Sequence, residues 1–346
     1  MIKGMLNKVV RKENLSISEA RLLMGQVMEG GATPAQIGGL LTALRMKGET
    51  VDEIVGSAQA MREKAHPLKC KHSTLVDTCG TGGDGSGTFN ISTTVAFVAA
   101  GAGLPVAKHG NRSVSSKSGS ADLLEALGVK IDLSPCAVET VLNETGIAFL
   151  YAPIFHQAMK YAIGPRREVG IRSIFNLLGP LTNPAHVKVQ VLGVYDPDLT
   201  ETVARVLEGL GAETAYVVHG AGGLDEISTI GATQISCLQH GKIRTFSINP
   251  EDYGFKRVKL RDLQGGEANV NAQITRNILK GEKGAYRDIV LLNGAAVFVV
   301  SGLAADIGEG IKIARETIDS GRALEKLEQL IEATKRIKER GDEACF

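Results

Sequence analysis

The densest run of residues able to do chemistry is Asp77 to Thr94, DTCGTGGDGSGTFNISTT, in which five of the eight residues from Gly80 to Gly87 are glycine. Glycine lets a chain turn through positive φ and bring several backbone N–H groups to one anion, and a following helix N-terminus adds its positive dipole end. The run follows a predicted strand and precedes a predicted helix, capped near Asn90 to Thr93, so it reads as a phosphate cradle. It has neither the Gly-Lys-Ser/Thr of a Walker loop nor the glycine spacing of a dinucleotide fold. A tight βα turn would use the same glycines; the strand, glycine cluster and Ser/Thr-rich helix start in succession favour the anion site. A second run, Val106 to Asp122 (VAKHGNRSVSSKSGSAD), again leaves a strand and enters a helix at Ser118 to Ser120. Lys108 and Arg112 could neutralise phosphate there, and Ser116 and Ser120 could donate hydroxyls. A solvated basic loop is the plainer alternative, but small polar residues interleaved with glycine suit close packing around a ligand.

These loops need elements to hold them. The first seventy residues read as three short amphipathic helices: Ser16 with Glu19 opens one to about Gly30, Thr33-Pro34 opens one ending near Gly48, and Thr50 with Glu53 opens a third. Beyond His66-Pro67 β-branched runs alternate with helical windows. Strands are expected at Thr74–Thr78, Pro105–Lys108, Ile147–Tyr151, Val187–Tyr195 and Thr214–Val218, with helices at about 92–103, 118–128, 135–145 and 198–211. That alternation predicts an α/β fold with a mainly parallel central sheet. ATQISCLQ and KIRTFSI flank His240-Gly241 and predict an antiparallel hairpin, and the tail from about 267 to 340 returns to helix and should cover the sheet.

Composition narrows the function classes. With 346 residues the chain exceeds one small core; its 39 Lys+Arg balance 38 Asp+Glu, and aromatic residues are 4% with no Trp, which argues against nucleic-acid or membrane-surface binding. Glycine, at 41 residues, is in excess without a collagen-like period. Five scattered cysteines lack zinc-ligand spacing or a disulfide framework, and the N-terminal MIKGMLNKVVRKENL lacks the apolar core of a leader, so a cytoplasmic location is expected.

Taken together, GTGGD at Gly80 to Asp84, the Asn90 to Thr93 run, KHGNR at Lys108 to Arg112, SGSAD at Ser118 to Asp122, HQAMK at His156 to Lys160, GPRREVGIR at Gly164 to Arg172, FNLLGPLTNP at Phe175 to Pro184 and Leu224-Asp225-Glu226 resemble the anthranilate phosphoribosyltransferase family, of the nucleoside phosphorylase-like fold. The resemblance runs in order along the chain. One departure is Phe155 before His156, where the family often has a second histidine. The resemblance implies a small all-helical domain, residues 1–70 with a contribution from about 165–185, and a larger α/β domain, 71–346, with the active site in the cleft between them. It further implies a homodimer through the helical domain.

The implied reaction moves phosphoribosyl from 5-phosphoribosyl 1-pyrophosphate to the amino group of anthranilate, releasing pyrophosphate. Gly80, Gly82, Gly83, Asp84, Thr88, Asn90, Ser92, Thr93, Lys108 and Ser120 are the implied donor site. Gly80, His109, Asn111, His156, Arg166 and Pro180 are the implied acceptor site, where a planar cation such as Arg166 suits a ring carboxylate; the chemistry of the neighbouring Arg167 is indistinguishable. Mg²⁺ is the implied cofactor, two ions per site, with Asp225 and Glu226 as ligands of one and Ser92 of another. No residue is assigned proton transfer, although His109 is a candidate. A pyrimidine nucleoside phosphorylase is the nearest rival: Lys71-His72-Ser73-Thr74 starts like its phosphate loop, but Leu75 follows where that loop has Gly-Gly. A non-catalytic nucleic-acid-binding relative is disfavoured by the balanced charge.

Overall fold

Reciprocal capping boxes start three helices of the N-terminal region. Ser16 with Glu19, Thr33 with Gln36 and Thr50 with Glu53 each satisfy orphan N–H groups at a helix entry, opening α2 (Ile17–Met28), α3 (Pro34–Lys47) and α4 (Val51–Lys64). A fourth helix, α1 (Ile2–Val10), precedes them and was not expected; it buries Val9 and packs on α3. The computed structural model describes residues 2–113 and 117–341.

From residue 76 the chain builds a seven-stranded sheet of β1 (Val76–Gly80), β2 (Val106–Gly110), β3 (Ile147–Tyr151), β4 (Val189–Gly193), β5 (Thr214–Gly220), β6 (Thr233–Gln239) and β7 (Lys242–Ile248), in the order β3-β2-β1-β4-β5-β6-β7. The first five strands are parallel; β6 and β7 form the expected antiparallel hairpin. Strands β1 and β2 each run two residues beyond the predicted ends, because pairing continues through Gly80 opposite Gly193 and Gly110 opposite Tyr151.

Between strands lie α5 (Ile91–Gly101), α6 (Ser120–Leu127), α7 (Pro135–Thr145), α8 (Ala152–Phe155), α9 (Lys160–Val169), α10 (Ile174–Leu181) and α11 (Leu199–Gly209). Helix α6 starts at Ser120 rather than Ser118, with Gly119 as its N-cap. The tail forms α12 (Ala268–Leu279), α13 (Ala285–Val300), α14 (Ile307–Asp319) and α15 (Arg322–Glu339).

Alternation along the strands supplies two cores. Val189 and Val191 of β4 and Tyr216 and Val218 of β5 face one core, shared with α5 to α7 and the tail helices. Their neighbours Leu192 and Val194, and Ala215 and Val217, face the other, shared with α1 to α4, α10 and α11. Burial on both faces is what a parallel sheet requires. Among the described residues no helix is long and apolar enough to cross a membrane.

The chain leaves β1 toward β2 and β3, then returns to place β4 on the other side of β1. The carboxyl ends of β1 and β4 therefore flank a topological switch point, where open α/β sheets form their ligand crevice.

Candidate active site

The glycine run begins at that switch point. Gly82, Gly83, Gly85 and Gly87 all adopt left-handed backbone, with φ of 64°, 69°, 72° and 66°. Gly80 and its register partner Gly193 have a different reason to lack side chains: a Cβ at Gly80 would overlap the Asp225 carboxylate, and one at Gly193 would overlap the Asp225 backbone. The pair of glycines thus opens a slot between β1 and β4 that the turn after β5 fills.

Asp225 Oδ2 accepts the Gly82 N–H at 2.8 Å, and Glu226 Oε1 accepts the Ser92 N–H in the first turn of α5 at 3.1 Å. Ser92, Asp225 and Glu226 are therefore brought together from β1–α5 and the turn after β5. Burial, reinforced by the Asp84 carboxylate, raises Asp225 to about 6. Burial, then the charge of Asp225, raises Glu226 well above the usual carboxylate range, against the pull of Lys108. Lys108 is itself buried; its ammonium donates to the Thr78 carbonyl and, at 3.4 Å, to the Ser92 hydroxyl. Two half-buried acidic side chains beside Asp84, with hydroxyl oxygen of Ser92 at hand, are a hard-oxygen donor set suited to a divalent cation. Mg²⁺ is an ion that takes oxygen ligands and keeps waters and substrate oxygens in its shell.

The far half of the loop is strapped by the segment before α12. Gly265 N–H donates to Gly87 O at 2.9 Å, Phe89 N–H to Leu263 O at 3.3 Å and Gln264 Nε2 to Ser86 O at 3.3 Å, while Thr88 forms a β-bridge with Gln264. Asn90 is the N-cap of α5 without capping it by side chain. Its Nδ2 donates to Ser118 O at 3.0 Å and its Oδ1 accepts from Asn271 at 2.9 Å, so it binds the two predicted loops together. Thr93 is buried in the first turns of α5.

In the second loop Ser120 Oγ donates to Asn111 O at 3.3 Å. Arg112 does not serve as a free phosphate cation: it forms ion pairs with Asp122 and Glu125 and meets Tyr151 Oη at 3.2 Å. Ser116 lies outside the described residues.

His109 and His156 come together, their ring centroids 5.1 Å apart. Burial, with a smaller push from His156, lowers His109 to about 3, and burial lowers His156 to about 4, so both are neutral at pH 7. Neither Nε2 has a hydrogen-bond partner among the described residues, although both are buried. The Gly179 and Thr182 carbonyls that engage these two rings bracket Pro180 at the end of α10. Arg166 sits on α9, half-buried, with its guanidinium 6.0 Å from the Phe175 ring centroid, whereas Arg167 is exposed.

Beneath the site is a polar network that the sequence reading missed. Asn183 Nδ2 donates to Asp77 Oδ2 and to Ala107 O, each at 2.8 Å, and Gln190 Nε2 donates to Pro180 O at 2.9 Å and approaches Cys79 Sγ at 3.1 Å. The signal available was a charged residue, Asp77, in an otherwise apolar strand window. The thiols of Cys70, Cys79 and Cys237 are free.

A helical bundle against a mainly parallel sheet, with a glycine loop and an acidic turn meeting at the switch point, defines an α/β protein built around a phosphorylated ligand. The helical bundle domain of the glycosyl transferase family matches residues 3–65, and the a/b domain of that family matches residues 72–324. The anthranilate phosphoribosyltransferase of Moorella thermoacetica is 58% identical over 96% of this chain and 98% of its own length, and that of Pelotomaculum thermopropionicum is 57% identical over 96% and 97%. The crystal structure of anthranilate phosphoribosyltransferase from Thermus thermophilus superimposes with a TM-score of 0.91 at 43% identity, covering 95% of this chain and 99% of that one. The Saccharomyces cerevisiae enzyme in complex with PRPP and Mg gives 0.86 at 29% identity, covering 96% and 98%. The chain belongs to the anthranilate phosphoribosyltransferase family.

Proposed function

We propose that this protein transfers the phosphoribosyl group of 5-phosphoribosyl 1-pyrophosphate to the amino group of anthranilate, giving N-(5-phosphoribosyl)anthranilate and pyrophosphate, the second step of tryptophan biosynthesis from chorismate. The observation that carries this reading is the meeting of Gly80, Gly82, Ser92, Asp225 and Glu226 at the switch point of a chain of this family. Residues 1–70 with about 165–185 act as the helical domain, and 71–346 as the α/β domain.

The donor lies along Gly80, Gly82, Gly83, Asp84, Thr88, Asn90, Ser92, Thr93, Lys108 and Ser120. Backbone N–H groups and the first turn of α5 face its phosphates, and Lys108 adds a buried positive charge. Mg²⁺, when bound, neutralises the departing pyrophosphate; Asp225 and Glu226 would hold one ion and Ser92 another. A transition state of oxocarbenium character calls for charge stabilisation and orientation, with no covalent nucleophile. The acceptor lies among Gly80, His109, Asn111, His156, Arg166 and Pro180. Arg166 would grip its carboxylate, and the buried rings of His109 and His156 would form a dry wall. His109, held neutral by burial, is suited to a hydrogen bond with the acceptor, and a ring lowered to about 3 is a weak base for the amine proton.

The enzyme is read as cytoplasmic and homodimeric through the helical domain, where Val10, Leu22 and Met46 expose apolar side chains. The deciding experiment is loss of anthranilate fluorescence on adding the donor and Mg²⁺, with thymidine plus phosphate as the control. Phosphorolysis of thymidine without consumption of anthranilate would overturn the assignment.

A further inference from the structure

Arg172 has no role in the reading above, yet it touches the donor loop. It lies between Gly170, the left-handed C-cap of α9 (φ 66°), and Ser173, the N-cap of α10. Both helices pack on α3, so Arg172 belongs to the helical side of the molecule. Its Nη2 donates to the Gly83 carbonyl, and its Cζ lies 4.0 Å from the centroid of Tyr195, just past β4. A planar guanidinium does both at once, stacking by its face and donating from its edge, which an ammonium cannot do.

The consequence falls on one peptide plane. In a trans peptide the C=O and the next N–H point in opposite directions, so a Gly83 carbonyl turned to Arg172 turns the Asp84 N–H away from it. Gly82 and Gly83 are both left-handed and carry no side chain to fix that plane. The turn is then held at two points: the Gly82 N–H on Asp225 and the Gly83 carbonyl on Arg172.

We propose that Arg172, braced on Tyr195, is a positioning residue that sets the Gly83–Asp84 peptide plane for the donor's phosphates and couples the donor loop to the α9–α10 segment carrying Arg166. This rests on the donor-site reading above. Removing the guanidinium frees the plane without removing a group that touches the reacting atoms, so it should weaken donor binding more than acceptor binding.

The test compares full-length wild type with Arg172→Ala, Arg172→Lys, Tyr195→Leu and Tyr195→Phe. The readouts are KM for each substrate, calorimetric binding of 5-phosphoribosyl 1-pyrophosphate with Mg²⁺, and melting temperature. Arg172→Ala is expected to raise donor KM and Kd roughly tenfold, with acceptor KM within about twofold and Tm within about 2 °C of wild type. Arg172→Lys should recover only a minor part. Tyr195→Leu should shift the donor constants in the same direction, and Tyr195→Phe, which keeps the ring, should restore them. Donor constants unchanged in Arg172→Ala would overturn the proposal. So would a shift in Arg172→Ala with none in Tyr195→Leu, which would make Arg172 a direct phosphate ligand. A fall in Tm with both KM values moving together would make it merely structural. Failure of the underlying reading shows in wild type instead: wild type that binds the donor but transfers nothing to anthranilate overturns the reaction and leaves the variant comparison of donor Kd in force, while wild type that binds no donor overturns both.

Discussion

The carboxylate of Asp225 lies against the bare α-carbon of Gly80, so closely that a Cβ there would overlap its Oδ2. Gly80→Ala should therefore displace Asp225 and lower kcat/KM by at least about a hundredfold, near 2.7 kcal/mol of transition-state stabilisation. At Gly82 nothing lies within 4 Å of an added Cβ, and the penalty is the left-handed φ of 64°, on the order of 1–2 kcal/mol. Gly82→Ala should thus be the milder variant, its loss appearing in donor KM. Equal losses at the two positions would show that Asp225 does not depend on the Gly80 slot.

Asp225→Asn keeps an oxygen able to accept the Gly82 N–H while removing a half-buried charge beside Asp84. The variant without metal should melt no lower than wild type, because burial disfavours the ionised carboxylate. Its Mg²⁺-dependent activity should fall by at least about a hundredfold, and the Asp225→Asn, Glu226→Gln double variant should respond to Mg²⁺ still less. A magnesium titration of the rate checks both, and unchanged turnover in the double variant would sink the metal assignment.

Burial separates the two arginines that chemistry alone could not. Arg166 is partly buried over Phe175 and Arg167 is exposed. Arg166→Ala should raise the KM for anthranilate at least about tenfold with donor KM nearly unchanged, and Arg167→Ala should leave both near wild type. The reverse pattern in steady-state kinetics would reassign the carboxylate contact.

The histidine pair predicts an acid-side loss of stability. Folding lowers His109 to about 3 and His156 to about 4 from the ordinary histidine value of 6.5, so below that value the unfolded chain binds more protons and stability falls as pH drops toward the folded values. Each histidine contributes on the order of 1.4 kcal/mol per pH unit inside that window and nothing above it. Buried carboxylates oppose the trend, so the check is a difference: the drop in Tm between pH 7.5 and 5.5 should be smaller in His109→Asn, His156→Asn than in wild type. An equal drop would mean that both rings are protonated without penalty.

What the sequence disclosed and what it hid divide along physical lines. Caps such as Ser16, Thr33 and Thr50 act within four residues of themselves and were legible, as were β-branched strand runs and the hairpin around His240-Gly241. Long-range pairing was not. Arg112 looked like a phosphate cation from its neighbours, but Asp122 and Glu125 on α6 claim it. Asn183 and Gln190 carry no local signal of their partners, and only the folded sheet brings them onto Asp77 and Pro180. Arg172 sat inside a recognisable motif with nothing local to say that Gly83 and Tyr195 are its partners. The excess of glycine was visible as a number; that Gly80 and Gly193 serve one incoming carboxylate turn depends on strand register, which composition does not contain.

The strap from Leu263 to Gly265 fixes the far half of the glycine loop to the tail before any ligand arrives. Ordering a backbone residue opposes binding by about 1–2 kcal/mol of conformational entropy, and the strap lifts that opposition from the stretch it holds. The tail thus takes up, at folding, disorder that the donor would otherwise have to remove from Ser86 to Phe89, and part of the affinity for a small phosphorylated sugar is set by a segment of chain 178 positions away.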